Sequence, residues 1–156
     1  MAAHSILTAT RALALLLVGL YAGGVLFVVL APSAGRLPGP SYVRQWQALN
    51  TDYGRVMPPL LLTSVLALVA TTVLSWHHGR FVLVLGAGAL VFVVLAVVLT
   101  VVAMEPLNRI ADSWDPDRLP VTWQQVRQRW AGLHLVRTVL AVAAFVCLTL
   151  SRAVDR

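Results

Sequence analysis

The chain has 156 residues, of which 59% are hydrophobic and 12% charged. A soluble domain of this size carries about 25% charged residues, so the composition excludes an ordinary water-soluble globule. The formal charge of +6 comes from arginine alone, since all 12 basic residues are Arg. They stand at the ends of apolar runs, where membrane proteins place them, and so do not point to nucleic acid.

One domain is expected at this length. Four apolar runs approach the roughly 20 residues that span the hydrocarbon core of a bilayer. They fall at about 12–31, 59–76, 81–104 and 133–150. Backbone polar groups in lipid must be satisfied within their own segment, which makes these runs helices. The expected fold is all-α: a four-transmembrane-helix bundle over residues 1–156, with two longer loops on one side and a tight hairpin on the other.

The first run is uncharged, contains Gly19-x-x-x-Gly23 and is closed by Pro32. Its small residues permit close helix approach. It is too long for a signal h-region and lacks an A-x-A cleavage site, so it reads as a span. In the next connection, Trp46, Asn50 and Tyr53 are spaced i, i+4, i+7. That spacing predicts a short amphipathic helix lying over the bundle mouth. Pro58-Pro59 is expected to open the second span, where a missing N–H costs nothing.

His77-His78-Gly79-Arg80 makes the hairpin turn. The two histidines lack a nearby third metal ligand and read as interfacial. The third span runs uncharged into Glu105-Pro106-Leu107-Asn108, which places a carboxylate near membrane depth. Pro106 interferes with backbone bonding in the preceding turn. Glu105 and Asn108 are neighbours on a continuing helix.

A lead-in over 121–132 then carries a stripe. At 100° per residue, Trp123, Arg127, Trp130, His134 and Arg137 share one face. His134 and Arg137 already lie inside the fourth span. Ionisable residues at that depth are a functional hypothesis by default, because placing them there is costly; snorkelling to the interface is the bland alternative. Cys147 is the single cysteine, so it forms no intramolecular disulfide and says nothing of redox compartment. Walker, CxxC, HExxH and GxSxG motifs are absent.

Both long connections emerge on one side. That side carries Trp46, Trp114, Trp123 and Trp130 with Tyr42 and Tyr53, in the manner of an aromatic belt. It also carries Arg36, Arg44, Arg55, Arg109, Arg118, Arg127, Arg129 and Arg137, against Arg11, Arg80, Arg152 and Arg156 opposite. The arginine density is about equal, so orientation rests on tight loops and short flanks staying inside. Both termini are expected in the cytoplasm of a bacterial cell.

Taken together, the glycine-bearing first helix, Trp46 and Asn50, Met57-Pro58-Pro59, Glu105-Pro106-Leu107-Asn108 and Trp130-x-x-x-His134-x-x-Arg137-Thr138 resemble the small four-helix membrane proteins of the anthrone oxygenase-like (DUF1772) family. The resemblance covers nearly the whole chain. Its sharpest part is the Pro-Leu-Asn and Trp-x-x-x-His-x-x-Arg combination. It implies a membrane-embedded monooxygenase that oxidises an anthrone-like, enolisable aromatic with O2 and no recognised cofactor.

The chemistry needs a base, an oxyanion stabiliser and a dry aromatic pocket. His134 is the expected base, with Glu105 orienting it or replacing it. Arg137 and Asn108 are the expected oxyanion donors. Trp130 and Trp46 are expected to wall the ring, with Asn50 and Tyr53 also binding substrate.

Two other readings stay open. One is a metal-dependent oxidase holding copper or iron at Glu105 and His134, with Asp112 as a further ligand. The other is a non-enzymatic binding, transport or assembly subunit, whose Glu105–Arg137 ion pair clasps two helices. The lipid bilayer is the expected surrounding, a hydrophobic small molecule and O2 the expected partners, and a homo-oligomer is compatible with so small a bundle.

Overall fold

The computed structural model describes residues 2–31, 33–77 and 79–154. Pro32, His78 of the histidine pair, and Arg156 lie outside them. The described chain is helical, without strands. Helix α1 is Ala2–Leu30, α2 is Gly39–Leu74, α3 is Arg80–Leu99, α4 is Glu105–Asp112 and α5 is Trp123–Val154. A π-helical turn, Thr100–Met104, fuses α3 to α4, and a 3-10 turn, Ala34–Arg36, precedes α2. Four of the resulting helices are long and apolar enough to cross a membrane.

The helices close a square. α1 packs on α2 and α5, and α3 packs on α2 and most extensively on α5, so neighbours are antiparallel and up-down-up-down. The interior is lined by small residues: Ala14, Ala67, Ala89, Ala96, Ala141 and Ala144 are buried among Val18, Leu68 and Val93. Lipid tails are as apolar as leucine, so such bundles gain from close packing rather than from hiding apolar surface. The outer face bears this out. Phe27 is 71% exposed, Val102 70% and Leu16 60%, a surface that water would not tolerate and that a bilayer solvates. The protein is a multi-pass integral membrane protein.

Gly19 of the glycine pair meets α5, where an added Cβ would come to 3.0 Å from the Phe145 ring; Gly23 faces open space. Only one half of that motif packs within the chain.

The spans are longer than hydropathy indicates. α2 has 36 residues and extends about 54 Å at 1.5 Å per residue; a bilayer core needs about 30 Å. Pro58 and Pro59 therefore lie inside α2 rather than at its start. The proline that does occupy the first turn is Pro40. The segment expected to be a separate helix around Trp46 is the outer half of α2. Tertiary contacts hold it helical through the proline pair. Gln47 Nε2 donates to the carbonyls of Ala111 and Trp114 at 2.9 and 3.0 Å. Arg44 pairs with Asp117 at 2.6 Å, and Val43 and Trp46 are buried along with Leu107 and Ala111 of α4.

The lead-in before the fourth span is likewise continuous with it as α5, 32 residues long. Hydropathy finds the part of a helix that lipid covers; it is blind to helix continuing into the headgroup region.

Candidate active site at the bundle mouth

Pro106 has no N–H to give to the carbonyl four residues back. The chain absorbs this by widening one turn, so that the Glu105 N–H donates to the Thr100 carbonyl, five residues earlier. Single π turns of this kind are frequent at functional sites. This one sets Thr100 beside α5, with Arg137 Nη1 at 3.5 Å from Thr100 Oγ1. Beyond it, α4 turns Asn108 toward the aromatic side chains of α2 and α5.

Asn108 Oδ1 accepts two indole N–H groups, from Trp46 at 3.2 Å and from Trp130 at 2.9 Å. One amide oxygen thus joins three helices. The two indoles lie 5.4 Å apart. The Trp130 ring stacks flat on His134, centroids 5.0 Å apart and planes 6° from parallel. Outward, Trp46 meets Trp114 and Tyr42 edge-on, and Tyr42 leans on Trp123. Arg127 lies over the Tyr42 ring at 4.2 Å and donates to the Gly35 carbonyl, tying the 3-10 turn to α5. The stripe read from the sequence is therefore one wall of a site, running from Trp123 at the rim to Arg137 inside the bundle.

At its inner end His134 is 4% exposed. Its Nε2 is 3.0 Å from the Val25 carbonyl of α1. A carbonyl only accepts, so Nε2 carries the hydrogen and Nδ1 presents a lone pair. That lone pair accepts from Arg137 Nη2 at 2.7 Å. Thr138 Oγ1 donates back to the His134 carbonyl at 2.8 Å. The imidazole is held neutral in one tautomer, in the manner that a partner on one ring nitrogen fixes the role of the other.

Arg137 has no carboxylate partner among the described residues, and its Nε is buried with no hydrogen bond. A guanidinium can neither shed its proton nor accept a bond. It remains a cation within the bundle, with no counterion among the described residues.

Glu105 departs from expectation. Its carboxylate takes a hydrogen bond from Arg109 Nε at 3.1 Å, one turn along its own helix and well exposed. Both ring nitrogens of His134 have other partners, so Glu105 does not orient the imidazole, and it does not pair with Arg137. The π turn explains this. The extra residue in that turn rotates Glu105 relative to the straight helix on which its position is projected. The Asn50 amide is bound to Asp112 at 2.6 Å, on the rim. Tyr53 is 42% exposed.

Among the described residues no three His, Cys, Asp or Glu side chains gather as a metal site. Glu105, Asp112 and His134, the donors considered for copper or iron, are each engaged elsewhere. His77 is exposed.

The sequence pattern of the anthrone oxygenase family matches residues 43–147, more than half of the chain. The chain belongs to that family. No curated protein and no solved structure matches it. The matched stretch of this anthrone oxygenase family member holds Trp46, the π turn, Asn108, Trp130, His134 and Arg137. It excludes α1, which supplies Val25 and the buried Tyr21. Sequence reading passes over both: a backbone carbonyl leaves no signal, while Tyr21 is the one residue with a polar ring in an otherwise uncharged run.

The geometry gives an early test. Glu105→Gln removes a charge whose one partner is the exposed Arg109, so turnover in the purified protein is expected to stay within a few-fold of wild type. A collapse of activity would return Glu105 to the chemistry.

Proposed function

We propose that the protein is a membrane-embedded oxygenase that takes a planar, enolisable aromatic ketone of the anthrone type, binds it as its enolate on Arg137, and lets the enolate react with O2. The observation that carries this is the uncompensated Arg137 guanidinium behind a wall of stacked Trp130 and His134. An anion-seeking cation beside stacked aromatic rings suits a flat molecule whose oxygen becomes negative during reaction.

The proton balance is simple. Loss of one C–H proton from the methylene opposite the carbonyl leaves an electron-rich enolate. Addition of O2 at that carbon gives a peroxide, and loss of water with the second C–H proton gives the quinone. One oxygen atom enters the product and the other leaves as water, so O2 is the sole oxidant and no outside reductant is consumed. Both the ketone and O2 partition into lipid, which favours a site opening near membrane depth.

The base in this reading is His134. Its lone pair is covered by Arg137 in the resting state. When the developing enolate draws the guanidinium onto its oxygen, Nδ1 is uncovered and can take the proton, while Nε2–H stays on Val25. Arg137 then moves between two acceptors, one within the protein and one on the substrate. Asn108 positions Trp46 and Trp130, and its Nδ2 hydrogens remain to donate toward a bound ring.

The test is O2 uptake and quinone absorbance with anthrone, using the full chain in detergent or nanodiscs. Turnover above the protein-free rate is expected, and His134→Gln is expected to lower kcat by about 10²–10⁴-fold, the usual contribution of a positioned acid–base group. Unchanged turnover in that variant removes His134 from the reaction. Elemental analysis of the same preparation addresses the metal-dependent alternative: stoichiometric copper or iron that activity follows would replace the enolate scheme. The clasp reading, in which the polar cluster is structural, predicts instead no turnover and a loss of stability when Arg137 is removed.

A further inference from the structure

Tyr21 is 2% exposed and is packed in a buried cluster with Ala22, Val25, Ala96 and Ala141. Its Oη is sealed from solvent and has no hydrogen-bond partner. A buried tyrosine hydroxyl ordinarily finds one. The second orphan in this part of the bundle is Arg137 Nε.

The two belong together. Tyr21 precedes Val25, the carbonyl that holds His134, by one helical turn. Ala96 precedes Thr100, which Arg137 approaches, by one turn, and Ala141 comes one turn after Arg137. Along each helix, then, the Tyr21 level lies one turn deeper than the His134–Arg137 level, so the two orphaned donors stand on adjacent levels of the bundle interior. The other ionisable group at this level is His134 from α5; the π turn offers the uncharged Thr100. No carboxylate among the described residues answers the guanidinium. Two unfilled donors, one of them cationic, call for a shared guest atom that accepts from both and carries negative charge.

We propose that Tyr21 Oη–H and Arg137 Nε–H form a two-donor slot for a single anionic oxygen, the enolate or phenolate oxygen of a planar aromatic ligand. This rests on the reading of Arg137 as the oxyanion partner and adds Tyr21 as the second group that touches the ligand. It also gives α1 a part in the site, although α1 lies outside the stretch that matches the family. The slot selects aromatics bearing an ionisable oxygen over plain hydrocarbons of the same shape, because only an acceptor fills both donors.

A ligand that cannot turn over separates binding from catalysis. 1-Hydroxyanthraquinone has a phenol whose ionised form absorbs at longer wavelength. Its ionisation midpoint is read with the full-length protein in micelles, against protein-free micelles. The bound probe is expected to ionise at lower pH than the free probe. Tyr21→Phe and Arg137→Gln are each expected to raise the bound midpoint by about one pH unit, the scale of one hydrogen bond to a charged group. Tyr21→Phe should also leave the thermal midpoint unchanged or higher, since it deletes a buried polar atom that has no partner.

If Arg137→Gln moves the midpoint and Tyr21→Phe does not, Tyr21 is outside the slot while the reading of Arg137 stands. A lower thermal midpoint for Tyr21→Phe with an unmoved ionisation midpoint makes the hydroxyl structural, and overturns the proposal in the same way. Absence of saturable binding, or a midpoint that neither variant moves, overturns the Arg137 reading itself.

Discussion

Arg137→Gln is expected to lower kcat on anthrone by about 10²–10³-fold, the effect of deleting one preorganised oxyanion donor, while the protein keeps its fold. The reason lies in what the guanidinium does in the resting state. It makes one good contact, to His134 Nδ1 at 2.7 Å, one long contact to Thr100, and leaves Nε unfilled. Gln can still supply an amide hydrogen to the imidazole, so the local scaffold survives. What is lost is the positive charge, and that matters only when a negative oxygen forms.

Arg137→Lys should recover little of the activity. An ammonium on a flexible stem lacks the planar fork of fixed donors with which the guanidinium meets first the imidazole and then the oxyanion. Steady-state kinetics and thermal unfolding in the same detergent decide the matter. A variant that keeps its turnover but melts early would make Arg137 a structural residue of a working oxygenase, because a cation that merely holds helices together is felt in stability and not in the rate.

How far the chain discloses its own site depends on the kind of interaction. Four spans are legible, since about 20 uninterrupted apolar residues have few other physical uses. So is the face carrying Trp123, Arg127, Trp130, His134 and Arg137, because α5 is one unbroken helix over its whole length and residue spacing converts directly into geometry.

Projection fails at Glu105 for a local reason. Pro106 adds a residue to the preceding turn, and an angular projection that assumes 3.6 residues per turn misplaces every side chain beyond it. It also fails at Pro58-Pro59. The cost of a proline pair in a helix is outweighed by contacts from α4 and the 113–122 connection, which lie more than 40 residues away in sequence. Asn108 as the shared acceptor of two indoles has no sequence signature at all. Nothing in the spacing of Trp46 and Trp130 says that they meet.

That shared acceptor yields the largest expected effect on stability. Asn108→Ala removes the oxygen on which Trp46 Nε1–H and Trp130 Nε1–H both end. Each donor left unsatisfied costs about 1–3 kcal/mol when buried. Trp46 is buried, whereas Trp130 is only half-buried and can recover part of its loss. The expected destabilisation is about 2–4 kcal/mol, seen as a fall in the unfolding midpoint in detergent.

Asn108→Asp keeps an acceptor oxygen in place and should recover most of the stability. Asn108→Leu fills the volume but not the bonds and should behave like Ala. Activity should track the same order, because loss of the clamp frees the two indoles that wall the slot and lets Trp130 slip from its stack on His134. Tryptophan fluorescence gives the local readout. A red shift and broadening in Asn108→Ala, absent in Asn108→Asp, is the expected result. Identical spectra and midpoints in all three variants would mean that the indoles hold each other without Asn108.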